Sequence, residues 1–433
     1  MKKARSGVSH PDIPAEKSNS KLSRRKFLGT SSAALLTAAV AARAERAQSG
    51  QQGTQGRREK SMTDPGPENP PIKSASANSF APPPTDHGEV QTFWNSFSAA
   101  HRRIQDGGWS RQVTIEDFPI SKEIAGVNMR LTAGGVRELH WHVAAEWAIM
   151  LTGSARITAI DNDGRSFVKD VVKDDLWYFP SGTPHSIQGL APDGAEFVLV
   201  FDDGHFSEGN TTLITDWTRH TPPEVLAKNW GVAEHALASV YQGPEAGKYI
   251  FQAEVPPPLA DDVRDIGGSI GPTPIAFDFS LSKMAPTRKS RFGEVRVVDT
   301  RNFPIAKTMA AAHVIVKPGG LREMHWHQNA DEWQYFIQGN ARMTVFFTGS
   351  KARTADFAAG DVGYVPRTMG HYVENVGDTD LIFLEMFKTD RFMDLSLSEW
   401  VSNTPPELVM QHLGISKETL RAIPKTKPLV TPV

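Results

Sequence analysis

The sequence contains an internal repeat of two copies, and this duplication constrains the fold more than any other feature. A nine-residue stretch that runs from Gly-Gly to His-Trp-His occurs at 134–142 and returns at 319–327, an offset of 185 positions. Downstream the offset becomes 186, because the second copy has one more residue between its His-Trp-His and the following Glu. Further pairs in this second register are Glu146 with Glu332, Gly153 with Gly339, Pro180 with Pro366 and His185 with His371. Internal similarity of this kind predicts two tandem domains of one fold.

Each copy consists of short strand-like runs separated by turn residues, for example Ala155–Ile160 and Ala341–Phe347. The 433 residues include 35 Gly and 30 Pro, which suits frequent turns and argues against a helical bundle. Helical patterning is found mainly after each barrel, where Pro222-Pro223 and Pro405-Pro406 stand at predicted helix starts. We therefore predict an all-β protein with two tandem jelly-roll β-barrels and short helical appendages.

The beginning of the chain is predicted to be a leader rather than part of either barrel. Residues 23–29, Ser-Arg-Arg-Lys-Phe-Leu-Gly, precede an Ala- and Leu-rich run, and Ala42-Arg43-Ala44 follows as a small-residue cleavage pattern. This combination predicts a twin-arginine-type export signal and hence a periplasmic or extracellular protein. The apolar run is shorter than the roughly 20 residues that a membrane span needs, so we predict no stable span. The predicted segments are the signal at 1–44, a flexible lead-in at 45–85, an N-terminal domain at 86–250 and a C-terminal domain at 251–433.

The two copies share a set of potential metal ligands. The chain has no cysteine, so thiolates are excluded and a metal must be held by nitrogen and oxygen. Side chains two positions apart on a strand share a face, so the two histidines of each His-Trp-His point to the same side. Three imidazoles and one carboxylate suit Mn, Fe, Cu, Ni or Zn and leave coordination positions for a substrate. The predicted ligands are His140, His142, Glu146 and His185 in the first copy and His325, His327, Glu332 and His371 in the second.

The spacing His-x-His-x3–4-Glu, followed by Gly and then by Pro and His, resembles the signature of the cupins, and two copies resemble a bicupin. Over residues 85–425 the chain is most similar to the oxalate decarboxylases, with supporting segments at Glu138–Trp147, Asp175–Gln188, Phe201–Trp217 and His325–Gly339. The resemblance implies conversion of oxalate to formate and CO2, with one Mn2+ in each domain and dioxygen as co-catalyst. It also implies a homo-oligomer, a trimer or a hexamer. The formal charge of −2 gives no sign of a nucleic-acid partner.

The resemblance assigns substrate binding to an arginine in each copy. Arg137, with Arg322 at the matching position, would hold a carboxylate of the substrate in the fork of its guanidinium group. Strand alternation alone would turn Arg137 away from His140. We therefore expect the Gly134-Gly135 turn, or a bulge, to bring the arginine inward.

A short loop distinguishes the first copy from the second. Residues 207–211, Ser-Glu-Gly-Asn-Thr, resemble the mobile lid of the oxalate decarboxylases, with Glu208 as the proton donor, although Gly209 and Asn210 depart from the usual lid sequence. The second copy has Thr389-Asp390-Arg391-Phe392 in this region and no matching Glu. Its own candidate acid is Glu385, where the first copy has Leu199. We predict that Glu208 is catalytic, and that Glu385 serves a secondary activity or shapes a mainly structural second site.

Three other functions stay open on the sequence alone. An oxalate oxidase would share the metal and the substrate but would give CO2 and hydrogen peroxide. A bicupin dioxygenase would act on an aromatic substrate in an apolar pocket, which Arg137 disfavours. A non-enzymatic storage or sugar-binding bicupin would be expected to lack ligand residues, whereas all eight are present. Glu208 disfavours the oxidase, and the ligand set leaves both Mn and Fe open.

Overall fold

Strands dominate the part of the chain that the structure describes, which in this computed structural model is residues 69–242, 248–266, 270–427 and 429–432. The earlier strands are β1 (Trp94–Ser96), β2 (Arg102–Gln105), β3 (Gly108–Val113), β4 (Ala125–Leu131), β5 (Gly135–Trp141), β6 (Glu146–Ile160), β7 (Ser166–Val172), β8 (Asp175–Phe179), β9 (His185–Gly189), β10 (Ala195–Phe201), β11 (Thr212–Leu213), β12 (Ile250–Gln252) and β13 (Asp278–Ser280). The later strands are β14 (Arg288–Ser290), β15 (Gly293–Val298), β16 (Ala310–Val316), β17 (Gly320–Trp326), β18 (Glu332–Gln338), β19 (Asn340–Phe347), β20 (Lys351–Ala358), β21 (Asp361–Val365), β22 (Gly370–Asn375), β23 (Leu381–Phe387), β24 (Leu395–Ser396) and β25 (Val430–Pro432).

The helices are short and lie outside the barrels. They are α1 (Pro70–Ala75), α2 (Ala77–Phe80), α3 (Ile214–Arg219), α4 (Pro223–Trp230), α5 (Ala238–Gln242), α6 (Leu259–Asp265), α7 (Leu397–Ser402), α8 (Pro406–Leu413) and α9 (Lys417–Ala422). As predicted, α4 and α8 begin at the second proline of each Pro-Pro pair. Both end at a left-handed glycine, Gly231 with φ 68° and Gly414 with φ 66°, a conformation that most side chains resist. None of the described helices has the length and apolarity that crossing a bilayer requires.

Antiparallel pairing organises the described strands into two barrels. Twelve of them form one sheet, with β11-β5-β9-β6-β10-β4-β3-β2 as its main path. The second barrel combines a seven-stranded sheet, β1-β21-β18-β23-β16-β15-β14, with a six-stranded sheet built along β20-β19-β22-β17-β24. Matched strands occupy matched places: β4 pairs with β10 in the first barrel as β16 pairs with β23 in the second. The predicted fold class, two tandem jelly-roll barrels with short helices, is confirmed.

Each barrel receives a strand from the segment that leads into the other barrel. Strand β1 pairs with β21, so that Trp94 lies opposite Gly363. Strand β13 pairs with β8, so that Asp278 lies opposite Trp177. The barrels therefore do not coincide with the predicted segments 86–250 and 251–433, because a repeat read along the chain does not reveal pairing across the junction.

The predicted leader lies mostly outside the described residues, including the whole of the signal at 1–44. The described end of the predicted lead-in at 45–85 contains α1 and α2. Asn78 of α2 donates to both carboxylate oxygens of Asp356 in β20, at 2.8 and 2.9 Å. This end of the predicted lead-in is therefore hydrogen-bonded to the second barrel.

A continuous apolar core joins the barrels and holds the metal-bearing strands in place. The matched residues Trp147 of β6 and Trp333 of β18 are fully buried in one cluster of contacting side chains that spans the junction. A second cluster fills the first barrel around Met129, Trp177 and Phe197. Burial of each large apolar side chain stabilises the fold by roughly 1.5–3 kcal/mol. The two barrels therefore offer rigid frames rather than adaptable loops for the predicted ligands.

Candidate metal centres and active site

The four predicted ligands of the first copy meet inside the first barrel. His140 lies on β5 and His142 directly follows it, while Glu146 begins β6 and His185 begins β9. His140 lies opposite His185 in the antiparallel pairing of β5 with β9. The four potential ligand atoms lie within 4.8 Å of one another, and all four side chains are buried. The sequence prediction of this quartet is matched by its geometry.

Backbone carbonyl groups fix which nitrogen of each imidazole faces the centre of the first quartet. The Nδ1 atoms of His140, His142 and His185 lie 2.6–2.7 Å from the carbonyl oxygens of Glu138, Ala144 and Thr183. An Nδ1–H that donates to a carbonyl leaves Nε2 as an unprotonated lone pair, which is the form that binds a metal. Nε2 of His185 is buried without a hydrogen-bond partner, as expected for a nitrogen that coordinates a metal.

The electrostatics of the first quartet keep its ligands in their metal-binding forms. Burial lowers the pKa of His140 well below its usual value, and the neighbouring Arg137 lowers it further. Burial alone would raise the pKa of Glu146, but His185 and His142 outweigh it and hold that pKa below its usual value. One carboxylate among three imidazoles forms a site that offers a negative charge and nitrogen donors. A divalent cation is therefore the natural occupant.

The second quartet repeats this arrangement in the second barrel. His325, His327, Glu332 and His371 also place their potential ligand atoms within 4.8 Å of one another, and all four are buried. Their Nδ1 atoms again face carbonyl oxygens, at 2.6 Å from Glu323, 2.8 Å from Met393 and 3.2 Å from Met369. Nε2 of His327 and Nε2 of His371 lie 3.1 and 2.8 Å from Glu332 Oε2, and the buried Nε2 of His325 has no hydrogen-bond partner. Both quartets thus fit a metal that is held by three nitrogens and one oxygen.

Each ligand glutamate is oriented by a different neighbour, a feature that the sequence analysis missed. Trp177 Nε1 donates to Glu146 Oε1 at 2.9 Å in the first barrel, and Gln334 Nε2 donates to Glu332 Oε1 at 2.6 Å in the second. Trp177 lies opposite the small Ala148, and Gln334 lies opposite Gly363. A Cβ atom on Gly363 would stand 2.5 Å from Gln334 Oε1. At an offset of 186, Ala148 matches Gln334 and Trp177 matches Gly363, so the large and the small residue change places between the copies. This exchange could have revealed the pair in the sequence.

A bulge brings the predicted substrate-binding arginines to the inner face of their strands. In the pairing of β5 with β9, Arg137 lies opposite Ile187 and His140 opposite His185, so β5 has one extra residue between them. The same shift separates Arg322 from His325 on β17. An extra residue reverses the alternation of faces, so the arginines share the histidine side of the strand. Arg137 is 3% exposed and Arg322 is 0% exposed.

Arg137 is a buried cation whose described neighbours are aromatic and backbone groups. Its guanidinium carbon lies 3.8 Å from the ring centroid of Tyr249, and Nη1 donates to the Tyr249 carbonyl oxygen at 3.4 Å. Among the described residues no carboxylate forms an ion pair with it. Tyr249 is itself held in a left-handed conformation, φ 49°, by hydrogen bonds to Glu138 at 2.6 and 3.0 Å. The sequence analysis missed Tyr249, which lies 112 residues from Arg137.

Arg322 differs from Arg137 because two carboxylates form ion pairs with it. Its Nε lies 3.1 Å from Glu385 Oε1, and its Nη2 lies 3.0 Å from Asp394 Oδ2. Lys427 forms a further ion pair with Asp394. Burial would lower the pKa of Arg322, but the two carboxylates outweigh it and raise that pKa. The structure therefore makes Arg322 and Glu385 ion-pair partners, and the contact of Arg322 with substrate stays a prediction.

The predicted lid and the phenylalanine before it pack against the first barrel. Phe206 stacks on Phe201 with a centroid distance of 3.5 Å and lies edge-on to His142 at 5.6 Å. The next residues form a single 3-10 turn, Glu208–Asn210, in which Ser207 Oγ accepts from Gly209 N. Glu208 is only 6% exposed. The predicted acid is thus buried against Ser110 of the first barrel rather than solvated on a surface loop.

Aligning the two barrels shows that the lid is an insertion. Phe392 contacts Phe387 and His327 as Phe206 contacts Phe201 and His142. Five residues separate Phe206 from β11, whereas two separate Phe392 from β24. The second residue of the short loop is Asp394, the acid that holds Arg322. The second copy therefore lacks a matching Glu, as the sequence indicates, but it has an acid in this loop that the sequence prediction did not include. The available signal was the offset between the copies, which falls from 186 at the Phe pair to 183 at the Thr-Pro-Pro-Glu motifs.

Replacing Arg322 with glutamine is expected to destabilise the second barrel by about 3–5 kcal/mol, because it leaves the buried Glu385 without its cation and Asp394 with Lys427 alone. The measurement is urea unfolding followed by tryptophan fluorescence. Arg137→Gln is the matched control and should cost clearly less, since no described carboxylate depends on Arg137. Equal losses for the two variants would contradict this reading of the two sites.

Comparison with known proteins adds independent findings. The Cupin family model matches residues 95–237 and 279–421. The oxalate decarboxylase OxdC of Bacillus subtilis is 48% identical over 371 residues, which are 86% of this chain and 94% of that protein. A probable oxalate decarboxylase of Arthroderma benhamiae is 40% identical over 351 residues, 80% of this chain and 85% of that protein. A solved structure of the B. subtilis enzyme, from a study of its Mn(II) centres, matches with a TM-score of 0.81 at 48% identity and covers 85% of this chain and 96% of that one.

Proposed function

The chain belongs to the bicupin oxalate decarboxylases, and on this basis we propose that it converts oxalate to formate and CO2 at the first quartet, with Glu208 as the acid. The observation that carries the choice of site is the contrast between the two buried arginines. Arg137 has no acidic partner among the described residues, whereas Arg322 is neutralised by Glu385 and Asp394. A dianion entering the first barrel gains a cation partner, and one entering the second would have to displace two carboxylates.

We assign manganese to both quartets, which gives two ions per chain. The unpartnered Nε2 atoms and the nitrogen and oxygen donors support it, as do the Mn(II) centres of the B. subtilis relative. When bound, manganese supplies the redox change that weakens the carbon–carbon bond of oxalate. We also propose dioxygen as a co-catalyst that is required but not consumed.

The residues around the first quartet divide the remaining work. The Arg137 fork binds one carboxylate of oxalate and orients the carbon–carbon bond. The lid excludes water while CO2 leaves, which protects the remaining one-carbon fragment from side reactions. Glu208 then delivers one proton to the carbon of that fragment, so that oxalate plus one proton gives formate plus CO2. Burial of the Glu208 side chain within the closed lid keeps this proton from exchanging with bulk solvent.

Product analysis on the metal-loaded protein tests the proposed function. One formate per oxalate consumed, little hydrogen peroxide and two Mn per chain are the expected results. Hydrogen peroxide as the main product would make the protein an oxalate oxidase instead. A chain that binds no metal and leaves oxalate intact would point to a storage or binding bicupin.

We further propose export by the twin-arginine route and assembly into a homo-oligomer. Export rests on residues 1–44 of the sequence, and loss of Arg24 and Arg25 should retain the protein in the cytoplasm in a fractionation assay. Assembly is supported by Trp217 and Trp400, which are both 62% exposed and pack edge-on against matched tryptophans, with centroid distances of 5.3 and 5.7 Å. A monomer in sedimentation analysis would refute it.

A further inference from the structure

The two oxygens of the lid carboxylate are held differently. Glu208 Oε2 accepts a hydrogen bond from Ser110 Oγ at 2.9 Å, and Ser110 is completely buried. Glu208 Oε1 is buried as well but has no hydrogen-bond partner among the described residues. The carboxyl group is therefore hydrogen-bonded through Oε2, whereas Oε1 has no partner within hydrogen-bond geometry; the Tyr249 side chain interacts with the carboxylate from nearby.

The residues that hold the lid acid come from β3, a strand outside the predicted site. Besides the Ser110 contact, Gln112 Oε1 accepts from the backbone N–H of Glu208 at 3.4 Å. The offset of 185 places Val295 and Val297 at the matching positions of the second barrel. Both polar contacts are thus found in the barrel that has the lid, and neither residue type occurs at the matched positions of the barrel without it.

Packing does little to fix the lid beyond these hydrogen bonds. A side chain at Gly209 would meet only Ser207 Oγ, at 3.4 Å, and Asn210 is exposed. Burial raises the pKa of Tyr249 well above its usual value, and the interaction with the Glu208 carboxylate raises it further. Tyr249 therefore stays neutral and interacts with Glu208 only as an uncharged hydroxyl.

We propose that Ser110 is a positioning residue for the lid acid: it binds Glu208 Oε2 and thereby leaves Oε1 to carry the proton that is transferred to the substrate carbon. A serine hydroxyl suits this position because it can donate to Oε2 both when the proton is on Oε1 and in the carboxylate that remains after transfer. Ser110 thus serves both protonation states without moving the lid. This inference rests on the proposed function and refines it.

Ser110→Ala and Ser110→Val, the second of which installs the residue of the other barrel, test the inference in the manganese-loaded enzyme. Formate turnover is expected to fall about tenfold, a part of the full contribution of general acid catalysis. KM for oxalate should change less than about twofold, because Arg137 is untouched. The share of oxalate that is oxidised should rise, with two CO2 formed and the two electrons reducing dioxygen to hydrogen peroxide.

Two controls distinguish positioning from a loss of structure. Ser121→Ala removes another buried serine of the first barrel, one that donates to the Ile124 carbonyl, and should leave turnover and products unchanged. In a Glu208→Gln background, Ser110→Ala should have no further effect on oxalate consumption. The inference is wrong if the Ser110 variants keep the formate yield and turnover of the parent, or if the same fold loss persists in the Glu208→Gln background. Failure of the parent enzyme itself to release formate would instead overturn the proposed function.

Discussion

Replacing Glu208 with glutamine is expected to slow formate production from oxalate by about two to four orders of magnitude, the usual contribution of a positioned general acid. Glutamine keeps the size of the side chain and can still contact Ser110, but it has no proton to deliver to carbon. The eight metal ligands are unaffected, so the variant should still bind two Mn per chain. Formate and hydrogen peroxide are measured together, because the one-carbon fragment that is not protonated at carbon can still be oxidised to CO2.

The lid itself provides a control for Glu208. Asn210→Ala changes an exposed residue of the same 3-10 turn and should alter formate production by less than about threefold. Formate release at the parent rate by Glu208→Gln, with full metal content, would remove this residue from the mechanism. Loss of metal together with activity would show instead that the variant disturbs the quartet.

The ligand quartets could be predicted because metal coordination leaves a local pattern in the sequence. His-x-His is a consequence of strand alternation, and its recurrence with Glu and His at a constant offset made chance improbable. The inward position of Arg137 needed one thing more than alternation, a bulge, and the Gly-Gly turn before it was the only hint. In the structure the extra residue lies between Arg137 and His140, within the strand rather than in the turn.

What could not be predicted depends on contacts between segments that are far apart in the chain. Tyr249 reaches Arg137 through a strand added after the helices, and Asp394 reaches Arg322 from a loop that is three residues shorter than the lid. The exchange of β1 and β13 between barrels is likewise a matter of three-dimensional pairing. A repeat shows that two sites are related. The residues that make the two arginines differ, Tyr249 and Asp394, come from regions where the two copies no longer match.

That difference leads to the second large effect, at Arg137. Arg137→Gln is expected to lower kcat/KM for oxalate by about two to three orders of magnitude, because truncating one partner of a buried charged pair costs roughly 2–5 kcal/mol. Arg137→Lys should recover part of this loss, since an ammonium group keeps the charge but cannot form the two parallel hydrogen bonds of a guanidinium fork.

Steady-state kinetics on oxalate, with manganese content measured in parallel, check this expectation. Arg322→Gln provides the matched comparison, and its main effect should be on stability, with KM for oxalate close to that of the parent. If Arg322→Gln raised KM as much as Arg137→Gln, substrate would have to bind in both barrels despite the ion pairs at the second. Opposite effects of the two variants, one on catalysis and one on unfolding, would show that duplicated arginines at equivalent bulges have diverged because one acquired acidic partners and the other did not.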